Sequence, residues 1–521
     1  MQIKKSILVF TFFLFIFQIS AQSIGDFVSV EPVAQTDQLV LPSTHSFQRI
    51  SETGDALTAG GTLPATPDFT AYVPIAGSST NGYLSMNHES PVGAGPGAIT
   101  VFDINFNGST NFWKITASEG LDFSTVGPTY GNCSGTVTSW GTVISSEEVS
   151  IPLDISPPFN GYYDAGWNIE IDPATKTVLG KHWAMGNMAH ENVTIHSNDR
   201  TVYQGADSNP GYLYKFVATS AQDLSDGLLY VYTGSKAGAG TWVLLDNTTV
   251  SERNTTLSQS ASAGATVFNG IEDVEIGPDG MVYFAVKGSG DERVYRFQDS
   301  DPLTGTTATM ETFVGGMSYD ITHSGGTVST AWGAGNDNLA FDGDGNLWVL
   351  QDGGNNYIWV VGSDHTQASP NVRVFAIMPT DGEPTGITFT PDFKFLAMSI
   401  QAPNVTNNAN QDDAQGTTLS FDKGTSIVIS LAGNFGSLSV NEYDLLPDRT
   451  YLYPNPSDSF DELIVKGQNI NSVKIYSTVG KLLKETAYNN ESDVIFKRDN
   501  LPAGIYFLHI NNSESIKLIF K

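Results

Sequence analysis

The sequence predicts an all-β protein: a β-propeller, taken as six-bladed, followed by a small C-terminal β-sandwich. Three observations carry this expectation. The 521 residues include 52 Gly, 24 Pro and 11% aromatics, a composition that turns often and packs sheets. A strand–turn–strand unit recurs between about residues 40 and 440. Short alternating strands return, with a different character, in the last 75 or so residues. A chain of this length exceeds what one core usually serves, so two or more domains are expected.

At the N-terminus, Lys4 and Lys5 precede an apolar stretch from Ile7 to Ile16, and small residues follow at Ser20 and Ala21. This is the pattern of a secretory signal over residues 1–21, cut between Ala21 and Gln22. The apolar run falls short of the roughly 20 residues a membrane span requires, which disfavours an anchor. No second apolar span follows, so no transmembrane segment is expected. No Arg-Arg pair precedes the apolar stretch, which points to the general export route.

Twenty-five basic against 55 acidic side chains give a formal charge of −30. That excludes nucleic acid and anionic lipid as partners, because both want Lys and Arg stripes. A solvated acidic exterior accounts for such an excess, and so do carboxylates held for hard cations such as Ca²⁺. The two can coexist. Cys133 is the only cysteine, so no intramolecular disulfide forms, and an exported protein must then rely on its core or on bound metals.

The repeats come next. Val193-Thr194-Ile195 runs through Ser197-Asn198-Asp199 into Thr201-Val202-Tyr203. Val274-Glu275-Ile276 runs through Gly277-Pro278-Asp279-Gly280 into Val282-Tyr283-Phe284. Leu339-Ala340-Phe341 and Ile387-Thr388-Phe389 lead similarly through Asp-Gly and Pro-Asp turns into Leu347-Trp348-Val349 and Phe395-Leu396-Ala397. Such turns between apolar strands are strong hairpin signals.

Aligning these copies places Glu191, Glu272 and Asp337 two residues before the apolar triplet, with Thr385 in the fourth copy. A second register lies seven residues after a turn glycine, at Glu89, Glu148 and Asp352. Inner strands of a propeller converge on its channel, so equivalent positions aim their carboxylates at one another. Like charges so placed cannot all stay ionised without cations. Several carboxylates around one locus suit oxygen-liganded metals. Cys133, on the approach to Glu148, is either a small buried apolar residue or a thiolate that selects a softer, transition-type metal. Lys287 falls in the second register and could supply a compensating cation, although a surface lysine is the plainer reading.

Taken together, several segments resemble the PhoX-type alkaline phosphatase family. They are Asn87-His88-Glu89, Asn132-Cys133-Ser134-Gly135, Thr138-Ser139-Trp140-Gly141-Thr142 with Glu147-Glu148, and Ala189-His190-Glu191. Tyr212-Leu213-Tyr214-Lys215-Phe216, Glu272-Asp273, Asp337 to Asp342, Leu347-Trp348 through Asp352, and Gly386 to Asp392 continue the likeness in collinear order over roughly residues 40 to 405. The resemblance implies a propeller phosphomonoesterase acting on small phosphorylated substrates, with an iron and calcium (Fe³⁺ and Ca²⁺) cluster in its channel. Carried onto matching positions, it makes Cys133 an iron ligand. Glu89, Glu148, Glu191, Glu272, Asp337 and Asp352 become ligands to iron or calcium. The implied chemistry is metal-assisted, with no protein nucleophile required, and no catalytic side chain is assigned.

Departures from the family pattern fall on other positions. The family tends to place Arg-Pro before its acidic repeat positions as a phosphate clamp. Here Gly270-Ile271 precedes Glu272 and Gly335-Asn336 precedes Asp337. Ser146 replaces a second cysteine, and the family's usual twin-arginine signal is missing. Two other readings therefore stay open: a calcium-dependent lactonase or esterase-type propeller hydrolase, and a non-catalytic, calcium-stabilised surface-binding propeller. Gly288-Ser289-Gly290 lacks the strand-to-helix context of a nucleotide loop. His182, His190 and His196 are not spaced as a zinc set, and Asn404 to Gln411 reads as a loop.

The C-terminal segment opens with Tyr451-Leu452-Tyr453-Pro454-Asn455-Pro456 and carries a turn at Ser477-Thr478-Val479-Gly480. It continues through Leu501-Pro502-Ala503-Gly504-Ile505-Tyr506 to a basic last strand. These features resemble the type A C-terminal sorting domain of the Bacteroidetes type IX secretion system. The resemblance implies engagement of that machinery and delivery to the outer-membrane cell surface or the medium. The expected organisation is thus a signal over 1–21, a propeller over 22–445 and a sorting domain over 446–521.

Overall fold

Strands that are apolar on both faces build the larger part of the protein. In the strand Val282–Val286, alternate side chains point to opposite sides. Val282, Phe284 and Val286 pack against Tyr203, Leu213 and Trp242 of the preceding sheet. Tyr283 and Ala285 pack against Leu347, Val349 and Trp359 of the following one. Such a strand belongs between two sheets, which is why its sequence reads as an unbroken apolar run.

The computed structural model describes residues 22–89, 98–436, 451–453, 457, 462–478, 480–499, 501–511 and 514–520. The expected secretory signal at 1–21 lies outside the described residues, as do Pro454 to Pro456 and Val479 of the sorting motif. The chain divides into two units, Met1–Gly436 and Ser437–Lys521.

The first unit is all-β apart from short helical segments, and its main sheets form six blades. Blade 1 is Pro67–Pro74, Asn81–His88, Ala98–Asn107 and Phe112–Gly120. Blade 2 is Asn132–Val137, Val143–Glu147, Asn168–Asp172 and Thr177–Lys181. Blade 3 is His190–Ile195, Thr201–Ala206, Leu213–Ser220 and Asp223–Gly234. Blade 4 is Ile271–Ile276, Val282–Val286, Arg293–Asp299 and Thr307–Gly315. Blade 5 is Asn336–Phe341, Leu347–Gln351, Tyr357–Val361 and Val372–Ile377. Blade 6 combines Glu383–Phe389, Phe395–Gln401 and Thr425–Leu431 with the early strand His45–Glu52.

That last pairing closes the ring, because a strand from the start of the unit completes its final blade. The six first strands contact one another in cyclic order and surround the channel. An apolar core fills every junction between neighbouring blades, including that of blades 6 and 1, where Phe395 and Val428 meet Tyr72 and Trp113. The strand Gly238–Leu244 bridges the outer edges of blades 3 and 4. The propeller read from the repeats is the fold observed, with the six blades that were assumed for it.

In the second unit, Glu462–Ser477 and Leu482–Lys497 form a long hairpin. Tyr451–Tyr453 pairs with the first half of Glu462–Ser477, and Gly504–Ile510 with the second half. Register shifts between Lys466 and Ser472 separate the two halves. Leu463 and Val465 from one half share a single core with Val473 and Ile475 from the other, with Leu508 of Gly504–Ile510, and with Leu518 of the last strand, Glu514–Phe520. The sheet thus doubles over its own apolar side chains.

Candidate metal centre

All six inner strands carry a β-bulge at the same place. In blade 3, His190 pairs with Ala206 and Val193 with Gln204, so Glu191 and Asn192 together oppose Gly205. Equivalent shifts fall at Pro67/Thr70, Asn132/Gly135, Ile271/Val274, Asn336/Leu339 and Thr385/Thr388. A bulge breaks strict alternation and re-aims a side chain. The first bulge residues, blade by blade, are Asp68, Cys133, Glu191, Glu272, Asp337 and Gly386. The first five are buried.

A second tier lies above them. Glu89, Glu148, Asp207, Lys287 and Asp352 each directly follow the second strand of their blade. Each donates its backbone N–H to the carbonyl just before the paired inner strand: Thr66, Gly131, Ala189, Gly270 and Gly335 respectively. Gly335 is obligatory there, since its φ is +82° and a Cβ would lie 1.4 Å from the Asp352 carbonyl oxygen. This tier is only partly buried or exposed, which places it at the mouth.

Cys133, Glu191, Glu272 and Asp337 of the first tier and Glu89, Glu148, Lys287 and Asp352 of the second line a cavity of about 110 Å³, joined by Glu383 from the start of blade 6. Cys133 Sγ lies 3.1 Å from Glu191 Oε1 and 3.3 Å from Asp68 Oδ2. Three sets bring their ligand atoms within 4.8 Å of one another: Asp68, Glu89 and Cys133; Cys133, Glu148 and Glu191; Glu191, Glu272 and Asp337. Among the described residues, Asp68 Oδ1, Glu191 Oε2 and Asp337 Oδ1 are buried without a hydrogen-bond partner. Leaving such oxygens unpaired is costly. Converging carboxylates and one sulfur, with buried oxygens left over, fit a group of cations.

The electrostatics say the same. Burial, then the nearby Glu89 carboxylate, pushes the Asp68 carboxyl up to about 7. Burial likewise lifts Glu148, Glu191, Glu272, Asp337 and Glu383 well above the ordinary carboxylate range, and neighbouring acids add to it. The Cys133 thiol is raised by burial first, then by Asp68 and Glu191. Burial opposes the charge of Lys287, but Glu272, Asp207 and Glu148 outweigh it and hold the ammonium protonated. Without other positive charge, the acids must keep protons.

Supporting bonds fix the tiers. Gln401 Nε2 donates to Asp68 Oδ2 at 2.9 Å, and Asn87 Nδ2 to the Cys133 carbonyl at 2.7 Å. The second bulge residues form a floor: Asn338 Nδ2 of blade 5 donates to Ser134 Oγ of blade 2 at 3.2 Å, across the channel. Asp273 Oδ2 accepts the Leu339 N–H at 2.6 Å, tying blade 4 to blade 5. Below this floor lies a separate chamber of about 550 Å³.

Every acid singled out from sequence, with Cys133, lines this cavity. Two readings need correction. The blade 6 counterpart of Glu191 is Gly386 rather than Thr385, because the bulge there lies between Thr385 and Thr388 and Ile387 falls inside it. Lys287 is partly exposed at the rim but is not a free surface lysine; its Nζ lies 2.6 Å from Asp207 Oδ2 and 2.7 Å from Glu272 Oε1. Sequence reasoning missed Asp68, Asp207 and Glu383. Ser146 opposes the bulge from the second strand of blade 2, and its hydroxyl donates to Asn168 Oδ1 at 2.8 Å. Of the histidines, His190 bonds Asn168 and the Gly186 carbonyl beside Glu191, and His182 bonds Glu170.

Residues 104–404 match the family model described as alkaline phosphatase PhoX. The chain belongs to the PhoX family. This is a family of metal-dependent phosphatases. Residues 451–521 match the secretion system C-terminal sorting domain, which directs export to the cell surface or beyond. No described helix is long and apolar enough to cross a membrane. Among solved structures, Pseudomonas fluorescens PhoX bound to vanadate, a transition-state analogue, is similar in fold. The identity is 19% and the TM-score 0.63, over 79% of this chain and 99% of that one. A Bacteroides fragilis protein named as a candidate 6-phosphogluconolactonase matches more loosely, at 13% identity and TM-score 0.36 over 73% and 95% of the two chains. That likeness bears no weight here. No curated protein matches the chain.

Proposed function

We propose that this PhoX-family chain hydrolyses phosphomonoesters outside the cell, using an iron and calcium cluster in the propeller channel. The observation that carries the proposal is the double tier of carboxylates around Cys133, with buried carboxylate oxygens left without partners among the described residues. In this reading residues 1–21 are the export signal, 22–445 the catalytic propeller and 446–521 the sorting domain.

Cys133 supplies the one soft donor and suits iron; the hard oxygens of Glu89, Glu148, Glu191, Glu272, Asp337 and Asp352 suit iron or calcium. Asp68, held by Gln401, joins them. When bound, the metals supply Lewis-acid charge to the phosphoryl oxygens. The chain's own part is to fix the donors on bulges and strand ends and to close the channel below with the Asn338–Ser134 floor. Substrate therefore enters from the mouth, past Glu89, Lys287 and Asp352.

Purified full-length protein loaded with iron and calcium should hydrolyse an aryl phosphate and lose that activity to a chelator. Hydrolysis of an aryl ester or lactone but of no phosphate ester would refute the proposal.

A further inference from the structure

Lys287 stands where four other blades place a carboxylate at the mouth of the cavity. Among the described residues it is the only cation lining that cavity. Its side chain keeps 37% exposure, against 4% for Glu272 and 10% for Asp207, so the ammonium sits at the rim while its partners lie deeper. The backbone holds it in place: Lys287 N–H donates to the Gly270 carbonyl, and its own carbonyl accepts the Gly335 N–H at 3.0 Å.

Glycine at residue 270 keeps the space beside this side chain open. Gly270 has a φ of +78°, and a Cβ there would lie 3.1 Å from Lys287 Cγ and 2.6 Å from Asp207 Oδ1. The aliphatic stem thus lies over bare backbone and directs Nζ across the mouth from blade 4 towards Asp207 of blade 3. An anion approaching this rim passes several acidic groups and meets one ammonium. Ammonium–phosphate hydrogen bonds are charge-assisted and strong.

We propose that Lys287 is the substrate-binding residue of this site, receiving the phosphate group as it enters the metal-lined cavity; this rests on the phosphatase reading above. Once carboxylates such as Glu272 turn to metal, Nζ is released from them towards the incoming phosphate.

The test compares full-length, metal-loaded wild type with Lys287→Met and Lys287→Arg. Binding of inorganic phosphate is read by calorimetry, metal content by mass spectrometry, and KM and kcat with an aryl phosphate. Lys287→Met should weaken phosphate binding and raise KM about 10- to 100-fold, the loss of one charged hydrogen bond. Its kcat should fall less and its metal content stay unchanged, while Lys287→Arg retains phosphate binding within a few-fold. Equal phosphate binding by wild type and Lys287→Met would overturn this assignment and leave the phosphatase reading intact. An additional divalent ion per chain in Lys287→Met would also overturn it, since Nζ would then be standing in for a metal. A wild type that binds no phosphate and turns over no ester overturns both.

Discussion

Cys133 and Glu191 occupy the same bulge position on neighbouring blades, and Cys133 Sγ lies 3.1 Å from Glu191 Oε1. A thiol pressed against a buried carboxyl, with Asp68 on its other side, gains nothing as an apolar filler. Its surroundings suit a thiolate only when cations are present.

Replacing Cys133 by Ser should therefore remove iron and its visible absorption and lower activity by at least about 100-fold. The metal-free protein should melt within a few degrees of wild type, because the substitution is nearly isosteric. Absorption spectra and melting curves check both parts, and an unchanged iron content would count against the assignment.

Asp68→Asn should lower metal affinity about 10- to 100-fold, since it keeps the shape and removes a charge from the deep tier. Ser146→Ala should leave metal content unchanged, because that hydroxyl bonds Asn168 rather than lining the cavity. Titration with metal separates the two variants. Equal effects would mean that the bulge position does not define the ligand set.

Stability should depend on pH in opposite ways with and without metal. Burial raises the Asp68 carboxyl from 3.8 to about 7. A value raised on folding stabilises the protein below the unfolded value, and that contribution is lost as pH rises through the folded one. For Asp68 the window runs from about 4 to about 7, and other raised acids of the cavity act in the same sense. Metal needs the deprotonated ligands. The gain in melting temperature on adding metal should thus be larger near about pH 8 than near about pH 5. Scanning fluorimetry of chelated and reloaded samples measures it, and a gain that shrinks with pH would contradict the account.

The blade 2 strand end that carries Glu148 rests on a buried ion pair. Lys181 Nζ lies 2.9 Å from Glu147 Oε1 and also donates to the carbonyls of Pro128 and Asp164. Lys181→Met leaves Glu147 buried without its cation, at a cost of about 3–5 kcal/mol. Urea denaturation should show that loss together with weaker metal binding. Wild-type stability in the variant would mean the pair is dispensable.

Much of this was legible in the sequence, and the gaps have physical causes. Blades 4 to 6 announce themselves through Gly-Pro-Asp-Gly, Asp-Gly-Asp-Gly and Pro-Asp turns. The first hairpin of blade 1 turns through an irregular segment from Ile75 to Thr80 and gives no such signal. Asp68 escaped because polar Thr70 interrupts the apolar run after it, satisfied by Ser399 Oγ at 2.6 Å. Asp207 escaped because the turn of blade 3 is Asn198-Asp199-Arg200, with no glycine to count from. Thr385 was misaligned because Ile387, which lies inside the bulge, is itself apolar and reads as the first residue of the triplet. Lys287 lies in the acidic register, yet its distance from Asp207 of another blade is a tertiary fact.

Metal analysis of the purified protein tests the central claim most directly. The account predicts iron and calcium together, with a visible absorption band that disappears in Cys133→Ser. Calcium without iron, or a colourless protein with no bound metal that still hydrolyses phosphate esters, would contradict it.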